Sequence, residues 1–179
     1  MTGRVICFSG KIGSGKSSVS ASVAKGLDCK LASFGGYIRH MVEMQDGDPK
    51  NRQALQDYGQ GRVERDIEAF CRDVLKHANY QNGEDLVVDG IRHVDVFSTL
   101  SRLLPDCTVS LIHLDLDDNL RRSRMAGRGD DRADFSRAEN HTVEQDLQDS
   151  LPMRADLIID VSAPLNEVVE KCLRFTQMC

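Results

Sequence analysis

Apolar residues in this chain gather in four short, dense runs, separated by longer stretches in which they recur every three or four positions. The runs are Arg4-Val5-Ile6-Cys7-Phe8-Ser9, Leu86-Val87-Val88-Asp89-Gly90, Thr108-Val109-Ser110-Leu111-Ile112-His113-Leu114 and Asp156-Leu157-Ile158-Ile159-Asp160-Val161. Apolar residues at consecutive positions suit strands covered on both faces, as in a parallel sheet. A briefer strand is expected around Cys29 to Phe34. Helical spacing predicts Lys16 to Gly26, with Val19, Val23 and Leu27 on one face and Gly26 as the stop. Two short helices follow, Tyr37 to Gln45 and Asn51 to Tyr58, broken by Asp46-Gly47-Asp48-Pro49. A longer one runs from about Val63 to His77, with Ile67, Phe70, Cys71, Val74 and Leu75 aligned. Further helices are expected over Val94 to Leu104, Asn119 to Ala126, roughly Phe135 to Leu147, and Leu165 to Phe175. Strands alternating with helices imply right-handed crossovers and a parallel sheet with helices on both faces, an α/β three-layer sandwich.

At 179 residues one core suffices, and no linker, repeat or low-complexity tract divides residues 1–179. The content, 40% hydrophobic and 28% charged, is that of an ordinary globular chain. A net charge of −5 argues against holding nucleic acid by blanket neutralisation of its backbone. Six scattered cysteines form no CxxC pair and have no histidine at metal-ligand spacing, so reduced thiols are expected. No apolar run approaches the ~20 residues of a membrane span. The chain enters its first strand directly after Met1-Thr2-Gly3-Arg4, and the expected location is cytoplasmic.

Chemistry enters where the first strand ends. Gly10-Lys11-Ile12-Gly13-Ser14-Gly15-Lys16-Ser17 matches G-x-x-x-x-G-K-S, between a strand and a helix as the motif's mechanism requires. Gly10, Gly13 and Gly15 let the backbone turn close to anionic oxygens, so that amides near Ile12 and Ser14 point at phosphates. The helix N-terminus adds its positive end. Lys16 is expected to bridge the β- and γ-phosphates of ATP, Ser17 to ligate magnesium, and Ser18 to touch the α-phosphate.

Asp89 closes the second run, at the carboxyl end of a central strand where ligands of open α/β sheets collect. It either holds magnesium waters beside Ser17 or caps the turn before Gly90. Arg92 projects over the same crevice, suited to a two-bond grip on a phosphate or else solvated. Arg121, Arg124 and Arg128 recur at helical spacing, and no acid occurs from Asn119 through Gly129. Such a stretch reads as an arginine-bearing lid, about 121–134, that neutralises charge during phosphoryl transfer. The segment Glu139 to Asp146 holds two glutamates, an aspartate and one histidine, and reads as an exposed face rather than a metal site.

With these residues in hand, the chain resembles the nucleoside monophosphate kinase branch of P-loop kinases, which includes adenylate, cytidylate and dephospho-coenzyme A kinases. Ser33-Phe34-Gly35-Gly36-Tyr37-Ile38-Arg39 looks like the acceptor-helix entry, Asp89-Gly90-Ile91-Arg92 like the second acceptor strand, and Arg121 to Arg132 like the lid. The order of these segments, ending in Ala155-Asp156-Leu157-Ile158-Ile159-Asp160, is particularly similar to archaeal relatives of adenylate and dephospho-coenzyme A kinases. The resemblance implies that Gly35, Arg39, Asp89 and Arg92 bind the acceptor, that Arg92, Arg124 and Arg128 join Lys16 in catalysis, and that Asp89 orders magnesium waters. It implies ATP and Mg2+ as cofactors and a nucleotide as acceptor. Gly36 stands where many adenylate kinases carry aspartate.

Acceptor-binding helices are expected at about 35–80, where Asn51, Gln53, Gln56, Tyr58 and Gln60 either read a base or sugar or are solvated. The leading expectation is phosphoryl transfer to a nucleoside or deoxynucleoside monophosphate, with a dephospho-coenzyme A hydroxyl next. A nucleotide-switched regulator is the alternative class, but the Asn-Lys-x-Asp guanine-reading segment is absent. A nucleic-acid end kinase is disfavoured by the acidic balance. The expected assembly is a monomer or small homo-oligomer.

Overall fold

The computed structural model describes residues 2–126 and 149–178. Its strands are β1 (Gly3–Ser9), β2 (Lys30–Ser33), β3 (Leu86–Ile91), β4 (Cys107–Asp115) and β5 (Leu157–Asp160). Its helices are α1 (Lys16–Gly26), α2 (Phe34–Met44), α3 (Arg52–His77), α4 (Val94–Leu103), α5 (Asp118–Ala126), α6 (Leu151–Arg154) and α7 (Leu165–Thr176). The five strands form one sheet in the order β2-β3-β1-β4-β5, every pairing parallel. The expected helix at Phe135 to Leu147, and the lid beyond Ala126, lie outside the described residues.

Consecutive apolar residues in the strands feed two cores. Along β1, Val5 and Cys7 point into one and Ile6 and Phe8 into the other; along β3, Leu86 and Val88 are divided from Val87 in the same way. The first core is closed by α2, α3 and α4, the second by α1 and α7. Each such side chain, fully buried, contributes about 1.5–3 kcal/mol of hydrophobic transfer. At the amino edge of the sheet Arg4 donates through its guanidinium to Asp85, and Asp85 Oδ1 accepts from the Arg4 amide at 2.8 Å. Arg4 Nη1 also reaches the Thr176 carbonyl at 3.0 Å, tying β1 to the end of α7. The five described cysteines form no disulfide, and Cys7, Cys71 and Cys172 are buried. No helix among the described residues is long and apolar enough to cross a membrane.

One expectation about local structure needs correction. The sequence suggests a break between helices near Gly59 and Gly61; instead α3 continues through both and turns non-helical at Asp66 (φ −164°, ψ 89°). Packing overrides the glycine propensity. A Cβ at Gly59 would stand 3.0 Å from Ile38 Cδ1, so glycine is what lets α3 lie close to α2. Past the break, Asp66 Oδ1 accepts from the Ala69 amide at 2.9 Å and caps the second half of α3. Arg62 spans the kink: it donates to Tyr37 Oη at 3.1 Å and to Asp73 Oδ2 at 2.8 Å while lying over the Phe70 ring. Removing the cap in Asp66→Ala is expected to cost about 1 kcal/mol. Urea melts should show a lowered midpoint with an unchanged slope.

Candidate functional site

The loop between β1 and α1 is built so that its amides face outward. Gly10 has φ 145°, and a Cβ there would lie 2.5 Å from the Leu114 carbonyl oxygen, so β4 admits only glycine. Gly13 and Gly15 take φ 86° and 84°, a left-handed geometry cheap only for glycine. Gly15 offers α1 no side-chain cap, and no acid occupies the first turn. The amino end of α1 thus presents uncapped N–H groups and a positive dipole end to whatever anion enters. Lys16 is nearly buried, and its Nζ donates to the carbonyls of Gly10 and, at 3.1 Å, Lys11, folded over the loop it is expected to serve.

Ser17, in the first turn of α1, donates from Oγ to Asp89 Oδ2 at 3.0 Å, across from β1 to β3. Ser33 Oγ reaches the same oxygen at 3.4 Å. Asp89 is 6% exposed, and its Oδ1 is buried with no hydrogen-bond partner among the described residues. A buried carboxylate oxygen left without a donor is costly unless a cation or its waters complete it. Magnesium takes oxygen ligands, few from protein and the rest from phosphate and water. Ser17 and Asp89 fit that group. Among the described residues no cluster of three histidine, cysteine or acidic side chains offers a site for a metal held by protein alone.

Behind the loop, the Ser9 hydroxyl and His113 Nδ1 lie 2.9 Å apart. His113 is pushed down to about 4, chiefly by burial, with Asp115 opposing and Lys16 and Lys11 adding to the shift. It stays neutral in the folded protein while the unfolded chain protonates below about pH 6.5. The folded state binds fewer protons at His113 in that window, so the histidine's contribution lowers stability as pH drops from about 6.5 to about 4. The loss should be roughly 2 kcal/mol after screening. Urea melts at stepped pH test this: His113→Asn should lose less stability across the window than the unaltered chain.

A cleft of about 420 Å3 opens from the loop toward α2 and α3. Ile12, Gly13, Gly15, Lys16 and Ser18 line its loop end, Gly35, Arg39, Gly90 and Arg92 line the rest, and the bonded pair Ser17 and Asp89 lies between. The structure thus gathers both halves of the expected site into one cavity. Gly90 takes φ 93°, turning the chain after Asp89 so that Arg92 meets the cleft. Gly36 donates its amide to Ser33 Oγ at 3.0 Å, and a Cβ there would stand 3.2 Å from Ser33, a tight contact that glycine avoids.

Two lining cations, Lys50 and Arg52, were not anticipated. The available signal was that they are the only Lys or Arg between Arg39 and Arg62, in a stretch otherwise rich in acids. Together Lys16, Arg39, Lys50, Arg52 and Arg92 line the cleft, and among the described lining residues Asp89 is the one carboxylate. The protein is acidic overall, yet the described lining of this cavity is rich in cationic side chains. Of the polar candidates in α3, Gln56 lines the cleft, Gln60 lines an adjoining chamber, Gln53 bonds Asp57 at 2.8 Å, and Asn51 caps α3 through the Ala54 amide. Tyr58 lies beside Arg62.

On α5 the arginines diverge. Arg121 is 2% exposed, bonds Asp118 Oδ1 at 3.1 Å, and approaches the Ile12 carbonyl at 3.5 Å, so it abuts the loop. Arg124 donates to the Val161 carbonyl at 2.9 Å, past the end of β5. Arg128 lies outside the described residues.

A family model described as AAA domain matches residues 6–147, most of the chain and the whole of this cleft. The chain belongs to the AAA domain family. Solved structures place this family member's fold among P-loop kinases. The APS kinase of Mycobacterium tuberculosis, in complex with AMPPNP and APS, superposes with a TM-score of 0.63 at 16% identity, covering 98% of both chains. An unliganded sugar kinase from Janibacter sp. HTCC2649 gives 0.59 at 17%, covering 98% of this chain and 95% of that one. A gluconokinase from Sinorhizobium meliloti 1021 gives 0.55 at 18%, covering 97% and 90%. At such identities the likeness is one of fold. No curated protein matches the chain.

Proposed function

We propose that this AAA domain protein catalyses ATP- and Mg2+-dependent phosphoryl transfer to a nucleoside or deoxynucleoside monophosphate. The observation that carries the reading is the shared cleft: a phosphate-binding loop at one end and Arg39 and Arg92 at the other, with Ser17 and Asp89 between. A nucleotide switch needs only the first half. In this reading residues 1–179 form one kinase domain, with acceptor helices at about 35–80 and a lid at about 121–134. Gly10, Ile12, Gly13, Ser14, Gly15 and Ser18 cradle the triphosphate, and Lys16 follows the migrating charge. Ser17 and Asp89 hold magnesium, which when bound neutralises charge on the phosphates. Gly35 leaves room beside Arg39, and Arg39 with Arg92 grips the acceptor phosphate. Arg124 and Arg128 are assigned to the transferred group on the family resemblance alone. Positioning and charge stabilisation dominate such transfers, so no strong base is required.

A hydroxyl acceptor, such as dephospho-coenzyme A or a sugar acid, is favoured by one observation. The Asp89 carboxylate borders the cleft, with Oδ1 unpartnered among the described residues, and a carboxylate there can accept a hydroxyl proton. A panel assay with labelled ATP separates the two readings. Labelled nucleoside diphosphate is the expected product; failure of every monophosphate, with label on a hydroxyl acceptor instead, would overturn the first.

A further inference from the structure

Two residues of the phosphate-binding loop are held from outside it. Lys11 Nζ donates to Asp118 Oδ1 at 3.3 Å, from the loop to the first residue of α5. The same oxygen accepts from Arg121 Nε at 3.1 Å, and Arg121 Nη1 turns back to lie 3.5 Å from the Ile12 carbonyl oxygen. Lys11 and Ile12 are neighbours in the chain, so these four residues close a ring of contacts between the loop and α5.

The ring holds the loop where its shape is set. The Lys11 carbonyl accepts from the Ser14 amide at 3.2 Å, which closes the turn over residues 11–14, and from Lys16 Nζ at 3.1 Å. Gly13 and Gly15, both left-handed, belong to the same loop, and glycine loses more conformational freedom on ordering than any other residue. A glycine-rich loop that is already fixed when its ligand arrives binds more tightly than one that must be ordered by it.

Capping does not account for Asp118. Asp117 Oδ1 caps α5, accepting from the Asn119 amide at 2.9 Å and from the Leu120 amide at 3.3 Å. An acid in the first turn also favours the helix dipole, but that role needs no partner in the loop. Desolvation pushes the Asp118 carboxyl up, yet Lys11 and Arg121 together hold it below the usual carboxylate range, so it is ionised at neutral pH. Arg121 is buried, and a buried guanidinium depends on its carboxylate to stay where it is.

We infer that Asp118 is a positioning residue for the triphosphate: through Lys11 on one side and Arg121 on the other, it holds the phosphate-binding loop in its anion-receiving shape before ATP enters. The inference rests on the reading above that this loop binds ATP. Lys11 and Arg121 reach the loop, and Asp118 joins them.

Charge alone predicts the opposite outcome. Removing a carboxylate beside an anion-binding loop should tighten ATP binding if Asp118 acts only through its field. If Asp118 fixes the loop, Asp118→Asn should weaken ATP binding about fivefold, because ordering the loop then costs part of the binding energy. Calorimetry with ATP and Mg2+ reads the sign, and a urea melt shows that the variant is folded. The loss should fall on KM for ATP more than on the saturated rate, since the ordering is complete before transfer begins. Lys11→Met, at a partly exposed position, is the second variant. In the double variant the two losses should be clearly less than additive in free energy, because both open the same ring. Unchanged or tighter ATP binding in Asp118→Asn, or losses that simply add, would overturn the inference. Phosphoryl transfer is read separately. Weakened ATP binding in Asp118→Asn, in a protein that phosphorylates no monophosphate, would sink the acceptor reading and leave the role of Asp118 standing; transfer to a monophosphate with ATP affinity unmoved by Asp118→Asn would do the reverse.

Discussion

Lys16→Ala is expected to lower turnover about a thousandfold or more while the protein stays folded. The ammonium sits nearly buried against the Gly10 and Lys11 carbonyls, at the one place where the loop can bring a positive charge to migrating phosphate oxygens. Donors fixed where charge develops contribute on this scale, because their stabilisation grows in the transition state and they need no reorganisation. ATP binding should weaken much less than turnover, since the loop amides and the uncapped amino end of α1 remain. Calorimetry with ATP beside steady-state rates checks the split. Weaker ATP binding with an unchanged saturated rate would mean that Lys16 acts in the ground state only.

Asp89→Asn is the second large effect, and it discriminates between the two roles the sequence leaves open. Asparagine keeps the size of the side chain and an oxygen to accept from Ser17, and it caps turns as well as aspartate does. If Asp89 merely shaped the turn before Gly90, turnover would survive. If it holds magnesium, loss of the charge should lower turnover by about a hundredfold or more, and raise the magnesium concentration needed for half-maximal rate. Folding should not suffer much, because a buried carboxylate with one oxygen unpartnered is itself a burden on the native state. Rates titrated with magnesium, together with a urea melt, separate these outcomes.

The loop end of the cleft was legible because its parts are contiguous. Eight consecutive residues carry the turn, the amides and the lysine, and the strand and helix beside them are marked by simple apolar patterns. Asp89 and Arg92 were legible for a related reason: an apolar run that ends in a carboxylate announces the carboxyl edge of a buried strand. The end proposed for the acceptor is assembled from α2, α3, β3 and the turn between the two helices, and its members are adjacent only after packing. Lys50 in the turn and Arg52 at the start of α3 look ordinary until packing lays them over the cleft. The break in α3 was misplaced because Gly59 reads as punctuation in a sequence, whereas here it serves the close approach of Ile38. Asp66 lacks the glutamate or glutamine three residues on that marks a capping box, since Ala69 stands there. On α5, helical spacing put the arginines on one stripe, but a stripe about a hundred degrees wide can face two neighbours. Arg121 reaches the phosphate loop, and Arg124 reaches the end of β5.

The central claim is that one cleft holds two substrates end to end. Its most direct test is a calorimetric titration with a bisubstrate analogue, adenosine joined through a 5′-polyphosphate chain to a second nucleoside. Linking two ligands that bind side by side raises affinity through effective concentration, by a factor of about 10² or more over ATP. The account predicts that gain in the unaltered protein, and its loss in the Arg39→Ala, Arg92→Ala double variant with ATP affinity retained. A bisubstrate analogue that binds no tighter than ATP would contradict it.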